Sequence, residues 1–310
     1  MWPFDHGGGV LALYIGTLAL HAVFVAYVLA GSAFALVRRQ DPIAATVRDR
    51  LPFMLGCGIT AGVAPLLFVQ LLHQRRFYTA NLLLGPRWFA VVPALIVGFY
   101  ALYLAKASDK WRRIALGVAL ACFAFVAWSW SELHELMQAD PEWAAFYAAG
   151  HRLFTAATIA PRFVTAIGAM ATLFATVAAW ATDDAGRKRL AAIALAGRTV
   201  SILGAVWLWR AGFSVDGPAV AWFGILAAAT ALDVAAWALV LRRPTDLVLA
   251  LATGGGTAAL LAAAVVREAP RVALIEVHAQ AEVSGGAVVF AVALVVGAAA
   301  IAWIVRQIRA

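Results

Sequence analysis

The stretch VLALYIGTLALHAVFVAYVLAGSAFALV, residues 10–37, runs for 28 residues without an Asp, Glu, Lys or Arg. About 20 apolar residues in a helix cross the hydrocarbon core of a bilayer. A chain at that depth must satisfy its own backbone polar groups, which selects the helix. Comparable stretches recur at 51–74, 88–106, 112–136, 162–182, 189–211, 218–242, 246–266 and 284–305. The expected fold is therefore an all-α polytopic transmembrane bundle of about nine spans. The composition agrees: 64% hydrophobic, 13% charged and a mean hydropathy of +0.88. A soluble chain carries about 25% charged residues. The net charge of +8 then belongs to Lys and Arg in cytoplasmic loops rather than to nucleic-acid binding.

The punctuation fits these spans. Pro52, Pro161 and Pro218 fall near span starts, where a missing N–H costs little. Gly7-Gly8-Gly9, Asp183-Asp184 and Arg242-Arg243-Pro244 mark ends or turns. Met1-Trp2-Pro3-Phe4-Asp5-His6 lacks the basic segment of a cleaved signal, so the first span is expected to act as its own insertion signal. Cys57 and Cys122 lie in apolar segments and are expected to be free thiols. With the N-terminus outside, 15 basic residues fall on the inner side and 8 on the outer. That bias predicts an N-out, C-in protein of the bacterial inner membrane.

This orientation gathers the histidines. His6, His73, His134, His151 and His278 fall at the outer end, and His21 lies about 17 Å deep in the first span. Histidine at membrane depth is costly, and it is suited to haem iron or a quinol hydroxyl. His21 is the leading candidate for a metal (haem iron) ligand; the plainer reading is a bond to a neighbouring carbonyl. Met170 is expected near its level, with His73 and His134 shallower. Glu132, His134 and Glu135 form a polar cluster, with Glu132 and His134 as candidate catalytic proton acceptors. The plainer reading of that cluster is a solvated helix end. Arg198 and Asp233 are expected at similar depth on adjacent antiparallel spans, as a structural ion pair or a transporter's midplane site. Gly254-Gly255-Gly256 lacks the context of a phosphate loop and suggests close helix packing or a local break. The loop 137–161 and the segment 75–87 read as interfacial.

Leu20-His21-Ala22-Val23-Phe24-Val25, Leu29-Ala30-Gly31-Ser32-Ala33-Phe34-Ala35-Leu36 and the stretch 53–63 resemble the first two spans of cytochrome bd quinol oxidase subunit I. Gly62-Val63-Ala64-Pro65-Leu66-Leu67-Phe68-Val69-Gln70, Arg76-Phe77-Tyr78-Thr79 and Pro161-Arg162-Phe163 resemble polytopic membrane proteins of cytochrome-rich bacteria. The resemblance covers about 120 residues. It implies a four-helix haem-type module and a haem-ligating role for His21. It also departs from both groups at about Thr165, where they carry a histidine.

The expected organisation is a cytochrome-bd-like module over 1–182 and a second helical unit over 183–310. The expected function is a membrane subunit of a respiratory electron-transfer complex. It would handle haem b or a quinol near the outer face and pass electrons to an extracytoplasmic cytochrome, which Arg75, Arg76, Arg87, Arg152 and Arg162 would help dock. The alternatives are a cofactor-free anchoring subunit and a small-molecule transporter using Arg198 and Asp233.

Overall fold

The computed structural model describes residues 8–150, 152–217 and 219–275, together with 292, 295 and 296. His6, His151, Pro218 and His278 lie outside the described residues, as does the expected span at 284–305 apart from three positions. The described chain is an all-α bundle. Eight of its helical segments are long and apolar enough to cross a membrane, and this is a multi-pass membrane protein.

The elements are α1 (Gly8–Val37), α2 (Pro42–Leu72), α3 (Gln74–Leu84), α4 (Pro86–Phe89), α5 (Val91–Ala107), α6 (Arg112–Leu136), α7 (Trp143–Ala148), α8 (Ile159–Ala179), α9 (Asp184–Arg210), α10 (Ala219–Arg242) and α11 (Asp246–Val272). Among them α2 departs most from expectation. It begins nine residues before position 51, and Pro52 sits inside it rather than at its start. Asp41 caps it, accepting a hydrogen bond from the Ile43 N–H at 3.0 Å, and Pro42 occupies the first turn. That is an ordinary helix start. Arg48 and Asp49 lowered the hydropathy of residues 42–50, so the apolar stretch was shorter than the helix. For the same reason α11 runs on to Val272, past the expected end at 266, through Arg267, Glu268 and Arg271.

Small residues let the backbones meet. A Cβ on Gly168 of α8 would lie 2.3 Å from Ser201 N of α9, and one on Gly204 of α9 would lie 2.6 Å from Thr165 N. Thr172 also donates across that seam to Ala194 O at 3.0 Å. The expected boundary at 182/183 thus falls between two helices in backbone contact, and one apolar core takes residues from both. Gly254–Gly256 lie within an unbroken α11, and Gly255 packs on the backbone of Asp233. Cys57 and Cys122 are free and half-buried.

Two apolar clusters stack along the bundle. One includes Tyr27, Leu51, Phe174 and Trp237. The other includes Leu11, Tyr14, Leu72, Phe77, Leu136, Phe154 and Val272. The second lies where α1 and α8 begin and where α2, α6 and α11 finish. This is the histidine end. The 137–161 loop covers it with a short 3-10 turn, α7 and the buried ring pair Phe146 and Phe154, 5.6 Å apart.

Candidate functional site at the histidine end

Six helices, α1, α3, α4, α6, α8 and α11, carry charged or hydrogen-bonding side chains into this end. Tyr14 of α1 donates to Glu268 Oε1 at 3.4 Å and accepts from Arg271 Nη2 at 3.1 Å and Arg267 Nη1 at 3.3 Å. Glu268 is ion-paired with both arginines, with Arg267 at 2.6 Å. Glu268 and Arg271 are each 2% exposed. Position 271 follows 268 by three residues, which stacks the pair on one face of α11. Arg271 also reaches Met137 Sδ at 3.7 Å. His73, just past α2, donates from Nδ1 to Leu274 O at 3.4 Å, since a carbonyl only accepts. Burial, then the positive charge of Arg271, push its pKa down to about 4.

The end of α6 contributes on both flanks. On one, Glu132 accepts from Trp128 Nε1 at 2.8 Å and pairs with Arg87 at 3.0 Å. That pair is close but poorly aligned, and it leaves Arg87 Nε and Glu132 Oε2 without a hydrogen bond. Beyond it, Trp88 and Trp130 stack edge to face at 5.0 Å. On the other flank His134 is 2% exposed, and neither ring nitrogen has a hydrogen-bond partner. The cations nearest it are Arg271, Arg267 and Arg162, and the neutral His73 ring is also close. Glu135 accepts from Thr158 at 2.7 Å and from Arg162 at 2.6 Å, tying α6 to the start of α8. At the rim Arg76 forms a two-pronged pair with Asp140, at 2.9 and 3.0 Å, and holds that carboxyl below the usual carboxylate range.

The structure thus brings Glu132, His134 and His73 to one end. It adds Tyr14, Arg267, Glu268 and Arg271, which sequence reasoning missed. Their signal was the helical spacing of 264, 265, 268, 271 and 272, all buried; ending the helix at 266 cut it off. The expectation of a solvated helix end at 132–135 is overturned, because Glu132 and His134 are buried. The free docking patch is corrected too. Arg76, Arg87 and Arg162 are turned inward to Asp140, Glu132 and Glu135. Arg152 donates to Leu83 O at 3.3 Å, and Arg75 lies over the Trp143 ring.

His21 stands apart. Its half-buried ring donates from Nδ1 to Gly58 O of α2 at 2.9 Å and rests against Gly62, whose Cβ would fall 2.8 Å from Cε1. Because a carbonyl only accepts, Nδ1 carries a proton, and in the neutral ring Nε2 then keeps its lone pair. That is the form in which imidazole binds iron. The expected second haem ligands are not brought to it. Tyr27 and Phe34 both pack on Phe174, with ring centroids 5.5 Å apart, and Gly31 abuts the same ring. In that register Met170, one turn before Phe174, is level with about position 27, about 9 Å deeper than His21. His73 and His134 belong to the charged end, and Tyr14 lies about 10 Å above His21 on α1. Thr165, where the resemblance would place a histidine, packs against Gly204 and donates to Pro161 O at 2.8 Å. His21 alone offers iron a nitrogen here, and among the described residues none of the expected second ligands faces it. Among the described residues no three His, Cys, Asp or Glu side chains converge as a metal site.

Arg198 and Asp233 meet in the bundle interior. Both Nε and Nη2 of Arg198 bond Asp233 Oδ2, at 2.9 and 2.6 Å. Comparison with known proteins gives no family model and no curated protein that matches the chain.

Proposed function

We propose that this chain is an integral membrane subunit of a bacterial respiratory electron-transfer complex, and that it handles a quinol at the histidine end. Under the N-out orientation of the inner membrane that end faces outward. One observation carries the proposal. Among the described residues nine buried side-chain polar atoms lack a hydrogen-bond partner, and six of them belong to Asn81, Arg87, Glu132, His134 and Arg271 at this end. They include donors, on Arg87 and Arg271, and acceptors, on Asn81 and Glu132. A neutral imidazole supplies one of each. A simple anion would satisfy only the donors and a cation only the acceptors. A hydroxyl does both, and a quinol carries two on an apolar ring. Tyr14, the tryptophans and the apolar wall of the second cluster suit such a ring.

Oxidation of one quinol releases two protons and two electrons. The lone-pair nitrogen of His134 would take a phenolic proton, and Glu135, bonded to Thr158 on the loop side, would relay it outward. Glu132 would serve the opposite flank. The electrons would pass to a cytochrome subunit on the same side. Because Arg76, Arg87 and Arg162 are engaged internally, that partner is proposed to dock on the 137–161 loop rather than on a free arginine patch. The Nε2 of His21 would suit a b-type haem only if its second ligand came from outside the described residues, and no step is assigned to it.

The test is a titration of the purified protein with a short-chain quinone, followed by tryptophan fluorescence, since Trp128 bonds Glu132 directly. Saturable quenching is expected. Quenching that stays linear to the solubility limit would remove the quinol reading and leave the anchoring subunit as the better one.

A further inference from the structure

The buried joint between α8, α10 and α11 has its own incomplete chemistry. Asp233 is fully buried, yet both bonds from Arg198 go to Oδ2, and Oδ1 has no hydrogen-bond partner. Trp237, one turn along α10, is also fully buried; its Nε1 approaches the same carboxylate without hydrogen-bonding geometry. Across the seam, a Cβ on Gly256 would stand 3.2 Å from Asp233 Oδ1 and 4.0 Å from Thr176 Oγ1, and the carboxylate and that hydroxyl supply the three nearest atoms outside its own stretch of α11. Thr176 spends its own proton on Thr172 O at 3.0 Å, so its oxygen faces the joint as an acceptor.

We propose that the niche over Gly256 is an internal binding site for one water molecule. The water donates to Asp233 Oδ1 and Thr176 Oγ1 and accepts from Trp237 Nε1. Three polar partners are the usual complement of a buried water. It completes a carboxylate that Arg198 satisfies on one oxygen only, and it makes glycine at 256 a requirement of hydration as well as of packing. The site is independent of the quinol reading.

The experiment is an experimental structure of the full chain, at a resolution that shows ordered water, for the wild type and Gly256→Ser. Expected are a water peak in the wild type within hydrogen-bond reach of Asp233 Oδ1, Trp237 Nε1 and Thr176 Oγ1, and its replacement by the serine hydroxyl in the variant. A wild-type niche without density overturns the proposal. If Gly256→Ser does not fold, unfolding midpoints decide between Gly256→Ala and Gly254→Ala, the latter facing open space. Expulsion of the water should lower the midpoint of Gly256→Ala by roughly 2–5 °C while leaving that of Gly254→Ala level or raised. Equal midpoints would contradict the inference.

Discussion

Arg198 with Asp233, and the group around Tyr14, His134, Glu268 and Arg271, bury the same residue types on different plans. The first is one cation and one anion on adjacent helices, joined through one carboxylate oxygen. The second draws on four helices, α1, α6, α8 and α11, and sets Arg162, Arg267 and Arg271 against Glu135 and Glu268, leaving His134 with two unused nitrogens. At the first the charges answer each other, and the leftover capacity, Asp233 Oδ1 and Trp237 Nε1, is small enough for one water to fill. A group with unused donors and acceptors on both flanks of α6 has polar capacity that packing does not consume, and buried polar capacity is costly unless something occupies it. The difference separates a structural joint from a candidate site within one bundle.

Breaking the joint should have the largest effect. Arg198→Leu or Asp233→Leu alone should cost roughly 3–5 kcal/mol by leaving an unpaired buried charge, and the double variant should recover much of it. Unfolding in mild detergent measures the cycle; a double variant as damaged as the two singles summed would deny the pair. The histidine end should instead show itself through pH. His73 is neutral in the folded state down to about 4, whereas the unfolded chain binds a proton below about 6.5. Stability is therefore complete above pH 6.5 and falls as pH drops toward 4, by up to about 3 kcal/mol. His73→Leu should flatten that slope; an unchanged slope would mean the ring is not held neutral. A smaller effect is expected at His134. Replacing an unpartnered imidazole by leucine removes a desolvation cost and breaks no bond, so stability should change by less than about 1 kcal/mol. A loss on the scale of the Arg198 variants would show that His134 is a structural member after all. Smallest of all, Asp140→Asn at the rim should lower the unfolding midpoint only slightly, and the difference should fade with salt.

The bundle was legible because hydropathy reports lipid exposure directly. Every described span overlaps an apolar stretch of the sequence. Its ends were not, wherever charge was carried into a helix. Arg48 and Asp49 hid the start of α2, and Arg267, Glu268 and Arg271 hid the end of α11 together with half of the candidate site. Glu132, His134 and His73 were visible because titratable residues next to apolar stretches are conspicuous. Tyr14 was not, because a tyrosine in an apolar run looks like packing until the helix beside it brings a glutamate and two arginines. Depth along one helix also proved a poor guide to company across helices. Met170 looked level with His21 from the span limits, and the ring contacts of Phe174 set it about six residues deeper.

The most direct measurement is the quinone titration made on two variants side by side, His134→Leu and the double Arg198→Leu/Asp233→Leu, each compared with the wild type by saturable tryptophan quenching. Binding should be lost or weakened at least about tenfold in the first, which corresponds to about 1.4 kcal/mol, and kept in the second. Undiminished binding by His134→Leu, or equal loss in both, would contradict the assignment of the ligand to the histidine end.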